Sequence, residues 1–409
     1  MNILKKFSGL LLIGCMCLAC NESKKKSEKM NENSYGKDIA FLKEHVQVVE
    51  LKKNGAALAL VPAYQGRVMT SSSKGDKGFS YGWINYDLIA SGKKVPQFNP
   101  VGGEERFWLG PEGGQYALYF EKDKPFTFEN WNVPAAIDTE PFNIVEKKND
   151  YVKFHKEMHL KNYSDFAFDI DVVREVRLLN SNDIQNALGI NDIPESFVAY
   201  ETVNKIQNIG NQAWKEDTGL PSIWLLCMMK PSEELTVVAP IKEGSEEELG
   251  TRVNDNYFGE VPPTHLQADM SKVFFKADGK KRSKIGITPK RATSLIGSYD
   301  NINDVLTILQ IKQPEAGAKY VNSAWELQEK PYSGDAFNSY NDGPLDDGSQ
   351  MGPFYELESS SPALALDKGE SYTHLQRIYH FEGKPAELSK IAQKLLGCKL
   401  EEITNKFKK

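Results

Sequence analysis

Residues 352–383 read GPFYELESSSPALALDKGESYTHLQRIYHFEG, and their alternation decides the fold. Successive side chains of a strand point to opposite faces. Phe354, Glu356 and Glu358 therefore share one face, and Tyr355, Leu357 and Ser359 the other. A Ser-rich turn with Pro362 follows, then apolar Ala363 to Leu366. A second turn at Asp367-Lys368-Gly369 leads into a long strand from Glu370 to Glu382. Two carboxylates side by side on a strand, walled by aromatics, suit a site that handles hydroxyl protons.

The same period of two runs outward through the chain from Ile39. Val46–Leu51 and Ala56–Val61 read as strands paired across Lys53-Asn54-Gly55. Arg67–Ser72, Tyr116–Glu121, Asp150–Tyr163, Phe166–Leu179 and Phe197–Ile209 follow. Shorter strands are expected at Leu235–Ala239, Val273–Lys276, Ser283–Thr288, Thr293–Ser298, Val305–Gln310 and Lys319–Leu327. Helical signal is confined to Ser181–Leu188 and to the end of the chain. There Pro385 opens a helix whose Leu388, Ile391, Leu395, Leu396, Leu400, Ile403 and Phe407 fall at helical spacing. So many strands without βαβ alternation predict an all-β fold: a large antiparallel sandwich over 39–384, then an amphipathic helix over 385–409. Two long stretches read as functional loops, Phe98–Gln115 (FNPVGGEERFWLGPEGGQ) and Tyr332–Gly352.

The chain has 409 residues, 40% hydrophobic and 11% aromatic, enough for a sizeable core. Its net charge of −6, with no basic block in the body, argues against nucleic acid as a partner. Lys5 and Lys6 precede apolar Phe7–Ala19, which is too short to span a membrane. Leu18-Ala19-Cys20, followed by polar Asn21-Glu22-Ser23, resembles a bacterial lipoprotein signal. Residues 1–19 are then the signal peptide, Cys20 carries the lipid, and 20–38 form a flexible tether. Cleavage removes two lysines and takes the net charge from −6 to −8. The expected location is the cell envelope, at the outer membrane or its periplasmic face. Besides Cys20 only Cys227 and Cys398 remain, which excludes a disulfide framework or a zinc site.

Glu356/Glu358, Pro362, Ala363–Leu366, Lys368-Gly369-Glu370 and Tyr379-His380-Phe381 together resemble the C-terminal segment of the galactose mutarotase-like, or aldose 1-epimerase, superfamily. Tyr200–Gly210 (YETVNKIQNIG) resembles its central strand, and Ala57–Val68 (ALALVPAYQGRV) its opening hairpin. The resemblance implies a β-supersandwich with a sugar-sized cleft, carried by a secreted bacterial lipoprotein. It also implies a glutamate that takes a proton from the anomeric hydroxyl, matched here by Glu358 or Glu356. The histidines of that chemistry are not matched. The chain reads NQAWKEDTGLPSIWLL after Gly210 and Gly102-Gly103-Glu104-Glu105-Arg106 in the earlier Gly-rich loop.

The candidate catalytic residues are thus Glu358 and Glu356. Arg67, Glu104, Glu105, Arg106, Trp108, Trp325, Tyr340, Asn341 and Asp342 are the candidate carbohydrate contacts. No metal or cofactor is required. Calcium on oxygen ligands from Asn341, Asp342, Asp346 and Asp347 is the one cation considered, although their spacing fits no known calcium loop. Three readings stay open: a lipoprotein that binds carbohydrate in a mutarotase-like cleft; an epimerase with a replaced acid, or a glycan lyase or hydrolase, using Glu356/Glu358; and a structural subunit of a glycan-uptake assembly.

Overall fold

A computed structural model describes residues 33–408. The expected signal peptide, Cys20 and the first part of the tether lie outside the described residues. In chain order the first strands are β1 (Val49–Lys53), β2 (Ala56–Val61), β3 (Arg67–Ser72), β4 (Arg106–Gly110), β5 (Asn143–Lys147) and β6 (Tyr151–Lys161). Next come β7 (Ala167–Leu178), β8 (Ser196–Asn208), β9 (Ser222–Met229), β10 (Leu235–Pro240), β11 (Leu266–Ala268) and β12 (Lys272–Lys276). The last are β13 (Ser283–Ile287), β14 (Leu295–Asp300), β15 (Val305–Ile311), β16 (Phe337–Asn341), β17 (Tyr355–Ser360) and β18 (Ser371–Glu382).

All pairings between these strands are antiparallel, in three sheets. One has three strands, β1-β2-β3. One has ten, in the order β11-β12-β10-β14-β15-β18-β8-β7-β6-β5. One has five, β13-β16-β17-β9-β4. Asn54 and Gly55 both take positive φ, the backbone that a tight hairpin between β1 and β2 needs. The main core lies between the large sheets. Val172, Val176, Ile206 and Ile378 of the ten-stranded sheet join one buried cluster with Phe107, Leu225, Cys227 and Leu357 of the five-stranded sheet.

Helices cover the outer face of the ten-stranded sheet and one face of the three-stranded sheet. Leu388, Ile391, Leu395 and Ile403 bury against Leu306, Ile308, Tyr379 and Phe381 on the outer face of the ten-stranded sheet. The expected C-terminal helix is two, Pro385–Leu395 and Leu400–Asn405. The chain breaks where Gly397 takes a left-handed φ of 75°. A further helix, Tyr35–His45, was expected as tether and strand. Ser34 caps it, and Tyr35, Ile39 and Leu42 bury on the three-stranded sheet, so 35–38 are folded rather than tethering.

Four other expectations are corrected. Tyr116–Glu121 is no strand. Turn bonds from Ala117 to Gly114 and from Leu118 to Pro111 hold it, and its aromatics enter the core as a loop. Lys319–Leu327 is irregular, and only Tyr320 makes an isolated bridge, to Ser333. Conversely, the two stretches read as loops each contain a strand, β4 in Phe98–Gln115 and β16 in Tyr332–Gly352.

Candidate functional site

The site is built on the face of the five-stranded sheet that looks away from the main core. On β17 the inward residues are Tyr355, Leu357 and Ser359, which leaves Glu356 and Glu358 on the opposite face. Register then decides their neighbours. Tyr340 of β16 stands opposite Glu356, and Asn338 opposite Glu358. On the other side Met228 and Leu226 of β9 take those places. One strand further, Arg106 of β4 pairs with Leu226 and Trp108 with Trp224. At the other edge Lys284 of β13 pairs with Tyr340.

Two ion pairs cross this face. Arg106 Nη2 donates to Glu356 Oε1 at 3.1 Å, and both side chains are buried. Lys284 Nζ donates to Glu358 Oε2 at 2.9 Å, where the Trp224 indole N–H donates as well. Burial raises the Glu356 carboxyl to about 7; Arg106 opposes the shift and Glu358 adds to it. Burial works against the Lys284 charge, but Glu358, Glu112 and Glu356 outweigh it and leave that ammonium above its ordinary value. Glu112, just past β4, is the third carboxyl. Its own pKa is raised by burial and by Glu358, and held back by Lys284, Arg106 and a hydrogen bond from Trp325.

The walls are aromatic. The Arg106 guanidinium lies 4.1 Å from the Trp108 ring centroid and 5.4 Å from that of Phe98. Trp108 meets Trp224 edge-on at 5.7 Å, and Phe98 meets Trp131 at 5.6 Å. Lys284 sits 5.1 Å from the Trp224 ring and 5.5 Å from Tyr257. Within these walls five buried polar atoms have no partner: Arg106 Nε and Nη1, Trp108 Nε1, Trp131 Nε1 and Glu358 Oε1. Buried polar atoms are nearly always paired, so five together mark a place shaped for polar company. The far flank is also acidic. Burial raises Asp335 to about 6, while bonds from Tyr257 and Asn254 restrain it. Tyr257 also accepts from Asn338 at 2.9 Å.

The structure therefore brings Glu356, Glu358, Arg106 and Trp108 onto one face, with Tyr340 beside Glu356 and Trp325 joined through Glu112. Tyr340 donates to Asp342 at 2.7 Å, which places Asp342 at the rim. The remaining candidates lie elsewhere. Glu105 sits in the core between the sheets, fully buried, ion-paired with Arg174 at 2.8 Å and bonded to Gln376 at 2.6 Å. Glu104 takes bonds from Ser71 at 2.7 Å and contacts His380 at 3.0 Å in the same interior. Arg67 is buried and braces the glycine loop by donating to Gly102 O at 2.7 Å. Asn341 bonds Asp278 and Lys281 O from the other face of β16.

Of the oxygens considered for calcium, three have protein partners. Asn341 and Asp342 have the partners just given, and Asp347 accepts from Ser349 at 2.9 Å and 2.6 Å. Among the described residues, His155, Glu157 and Asp171 bring ligand atoms within 4.8 Å of one another, on β6 and β7. His374 and His380 are core residues. Burial lowers His374 to about 4, and its Nε2 lies 2.8 Å from Ser359 Oγ.

Sequence reasoning missed Lys284, Glu112, Trp224, Tyr257 and Asp335. Lys284 had a signal: it is the one charge in Ser283–Ile287, alternating with inward Ile285 and Ile287. Glu112 and Asp335 lie in Phe98–Gln115 and Tyr332–Gly352, the two stretches read as functional loops, without being singled out there, and nothing in the sequence marks Trp224 or Tyr257.

Residues 33–407 match the family described as "Family of unknown function (DUF6786)". Among curated proteins no similar sequence is found. Solved structures similar in fold include a galactose mutarotase-like protein from Lactobacillus casei ATCC 334, at 9% identity and a TM-score of 0.49, covering 82% of this chain and 100% of that one. The Slr1438 protein of Synechocystis sp. PCC 6803 is similar at 10% identity and a TM-score of 0.48, over 83% and 96%. A galactose mutarotase related enzyme from Lactobacillus acidophilus is similar at 7% identity and 0.44, over 82% and 98%.

Proposed function

We propose that this chain, which belongs to the DUF6786 family, binds a saccharide on the charged, aromatic-walled face of its five-stranded sheet. The observation that carries the reading is the set of five unpartnered polar atoms inside that aromatic wall. A pyranose has a polar rim and apolar C–H faces. The indole N–H groups of Trp108 and Trp131 and the free Arg106 nitrogens would donate to sugar oxygens. Glu358 Oε1 would accept from a hydroxyl, and the rings would cover the C–H faces. The face is covered, so a ligand enters by displacing loop side chains around Tyr257 and Trp325. Isothermal titration with mono- and oligosaccharides of glucose, galactose, mannose and xylose tests the reading. Binding is expected for at least one series and should be lost in Arg106→Met; no binding in any series at millimolar sugar contradicts it.

A second reading is favoured by one observation, the Glu356 carboxyl held up to about 7 beside the Lys284-paired Glu358. Glu358 would take the anomeric hydroxyl proton while Glu356, in its acid form, protonates the ring oxygen. The C1–O5 bond breaks to give the open aldehyde, and the reverse steps close it on either face. Glu356 would then replace the unmatched histidine. Exchange NMR on anomeric protons is expected to show faster α/β interconversion that Glu358→Gln abolishes; binding without exchange leaves a binding protein.

The Leu18-Ala19-Cys20 signal supports a lipid-anchored place at the cell envelope, where partners in glycan uptake would meet the chain. Cys20→Ala is expected to move the protein from the membrane to the soluble fraction, and unchanged partition contradicts the anchor.

A further inference from the structure

A second group of charged side chains stands on the outer face of the ten-stranded sheet, across the main core from the proposed saccharide face. Val152, Phe154, Met158 and Leu160 of β6 turn inward, as do Phe168, Ile170 and Val172 of β7. Strand parity therefore puts His155, Glu157 and His159 outward on β6, and Asp169 and Asp171 outward on β7. Register sets Glu157 directly opposite Asp171 and His159 opposite Asp169, with His155 one diagonal step from Asp171. The helices on this face pack over Val238, Phe274, Leu306 and Tyr379. Beyond them Glu157 is exposed, and His155 and Asp171 are half-buried.

The ligating atoms of these three residues converge. One atom each from His155, Glu157 and Asp171 lie within 4.8 Å of one another. His155 Nε2 is 2.5 Å from Asp171 Oδ1. Among the described residues, Glu157 has no hydrogen-bond or ion-pair partner. Like charges directly across a strand pair repel, and no lysine or arginine of the described residues bonds either Glu157 or Asp171. The lysines at neighbouring outward positions of β6 are committed elsewhere, Lys153 to Glu175 at 3.1 Å and Lys161 to Asp165 at 2.5 Å. Lys205 of β8, one diagonal step from Asp171 on its other side, makes no ion pair with it. His159 and Asp169 meet at 2.6 Å, but among the described residues no third ligand joins them.

From this geometry we infer that His155, Glu157 and Asp171 form a site for a divalent transition-metal ion of the zinc type. One imidazole nitrogen and two carboxylate oxygens suit zinc, and the nitrogen ranks it above calcium or magnesium, which take oxygen ligands. Metal bonds of about 2.0–2.1 Å hold the ligand atoms of a tetrahedral ion roughly 3.3 Å apart. The contact between His155 and Asp171, now 2.5 Å, opens by less than ~1 Å to admit the ion, and Glu157 closes in by at most ~1.5 Å. Both changes are side-chain rotations at the surface of a fixed strand pair. The ion answers the two facing carboxylates, and three protein ligands leave its fourth position to water on the solvent side. The site does not depend on the saccharide reading.

The test is calorimetric titration of zinc chloride into the untagged, EDTA-treated full chain. It carries Cys15→Ser, Cys17→Ser and Cys20→Ser, so that those thiols do not compete. One ion per chain is expected to bind at micromolar zinc. His155→Ala and Asp171→Asn should each weaken binding by at least about 100-fold, because loss of an outer-shell partner alone costs about 10–100-fold. His159→Ala should leave it unchanged. The thermal midpoint should rise with zinc but not with calcium, and that rise should vanish in His155→Ala. No saturable binding up to millimolar zinc, equal binding of calcium, or binding that survives both His155→Ala and Asp171→Asn overturns the inference.

Discussion

Arg174→Met separates the two acidic pairs of this protein, one structural and one in the site. Arg174 and Glu105 are both fully buried, 2.8 Å apart. Arg174 also donates to Asn204 Oδ1 at 2.5 Å and to Gly66 O at 3.2 Å. Removing the guanidinium leaves a buried carboxylate whose remaining donor is Gln376, at 2.6 Å. Breaking such a pair on one side costs about 3–5 kcal/mol. Unfolding entropy of about 2.1 cal/mol/K per residue over this length converts that into a fall of about 4–6 °C in the thermal midpoint. The assay is thermal unfolding followed by circular dichroism at one scan rate, with urea titration beside it. The double variant Arg174→Met/Glu105→Leu replaces both charges by apolar groups and should recover much of the loss. A single variant within 0.5 °C of the parent, or a double variant less stable than the single, would refute the assignment of Glu105 to the core.

Three further outcomes follow from other buried groups. Glu356 keeps its proton up to about 7 in the folded chain, against an ordinary 4.5, so the unfolded chain loses the proton first. Its contribution to stability therefore falls as pH rises from about 4.5 to about 7, by roughly 3 kcal/mol. Burial lowers His374 to about 4, which acts oppositely: stability is lost as pH falls from 6.5 to about 4. Comparing Glu356→Gln with the parent isolates the first effect: the variant should gain relative stability between pH 5 and 7, and parallel curves would contradict the assigned carboxyl. Asp38 is buried and accepts from Ser80 at 2.6 Å, from Lys230 at 3.0 Å and from Tyr86, which ties the Tyr35–His45 helix to the fold. Asp38→Ala should expose residues 35–45 to limited proteolysis with the sandwich intact; equal cleavage in both proteins would show that the tie does not hold the helix.

Much of this architecture is legible in the sequence where burial is one-sided. β7 alternates cleanly because one of its faces is on the core, so Phe168, Ile170 and Val172 announce a strand; β17 is buried on both faces, and its pattern survives only because one of them is charged, which lets Glu356 and Glu358 declare a common face. Alternation fails where both faces are occupied or where turn residues dominate. β4 lies among glycines that belong to its approach, and β16 among Asp and Asn that serve its ends. The Tyr35–His45 helix does carry buried residues at helical spacing, but the polar run before it reads as linker. The site was half legible for a similar reason. Strand parity puts two glutamates on one face but cannot say what lies opposite. Arg106 is 250 residues from Glu356 along the chain, and Glu105 is 69 from Arg174. Which adjacent acid meets the core and which meets the site is decided by those distant partners.

The most direct test of the saccharide-binding account reads the tryptophans themselves. Four of the six, Trp108, Trp131, Trp224 and Trp325, surround the proposed site; Trp83 packs with Met228, Tyr340 and Phe354 at its edge, and Trp214 lies outside it, against Phe168. Each indole N–H gives one resolved nitrogen-15 correlation, assigned by single Trp→Phe substitutions. Titration with the saccharide panel is expected to shift the Trp108 and Trp131 signals, whose N–H groups have no partner in the protein, and to leave Trp214 in place. Saccharide that moves none of the four site indoles, or moves only Trp214, would contradict the account.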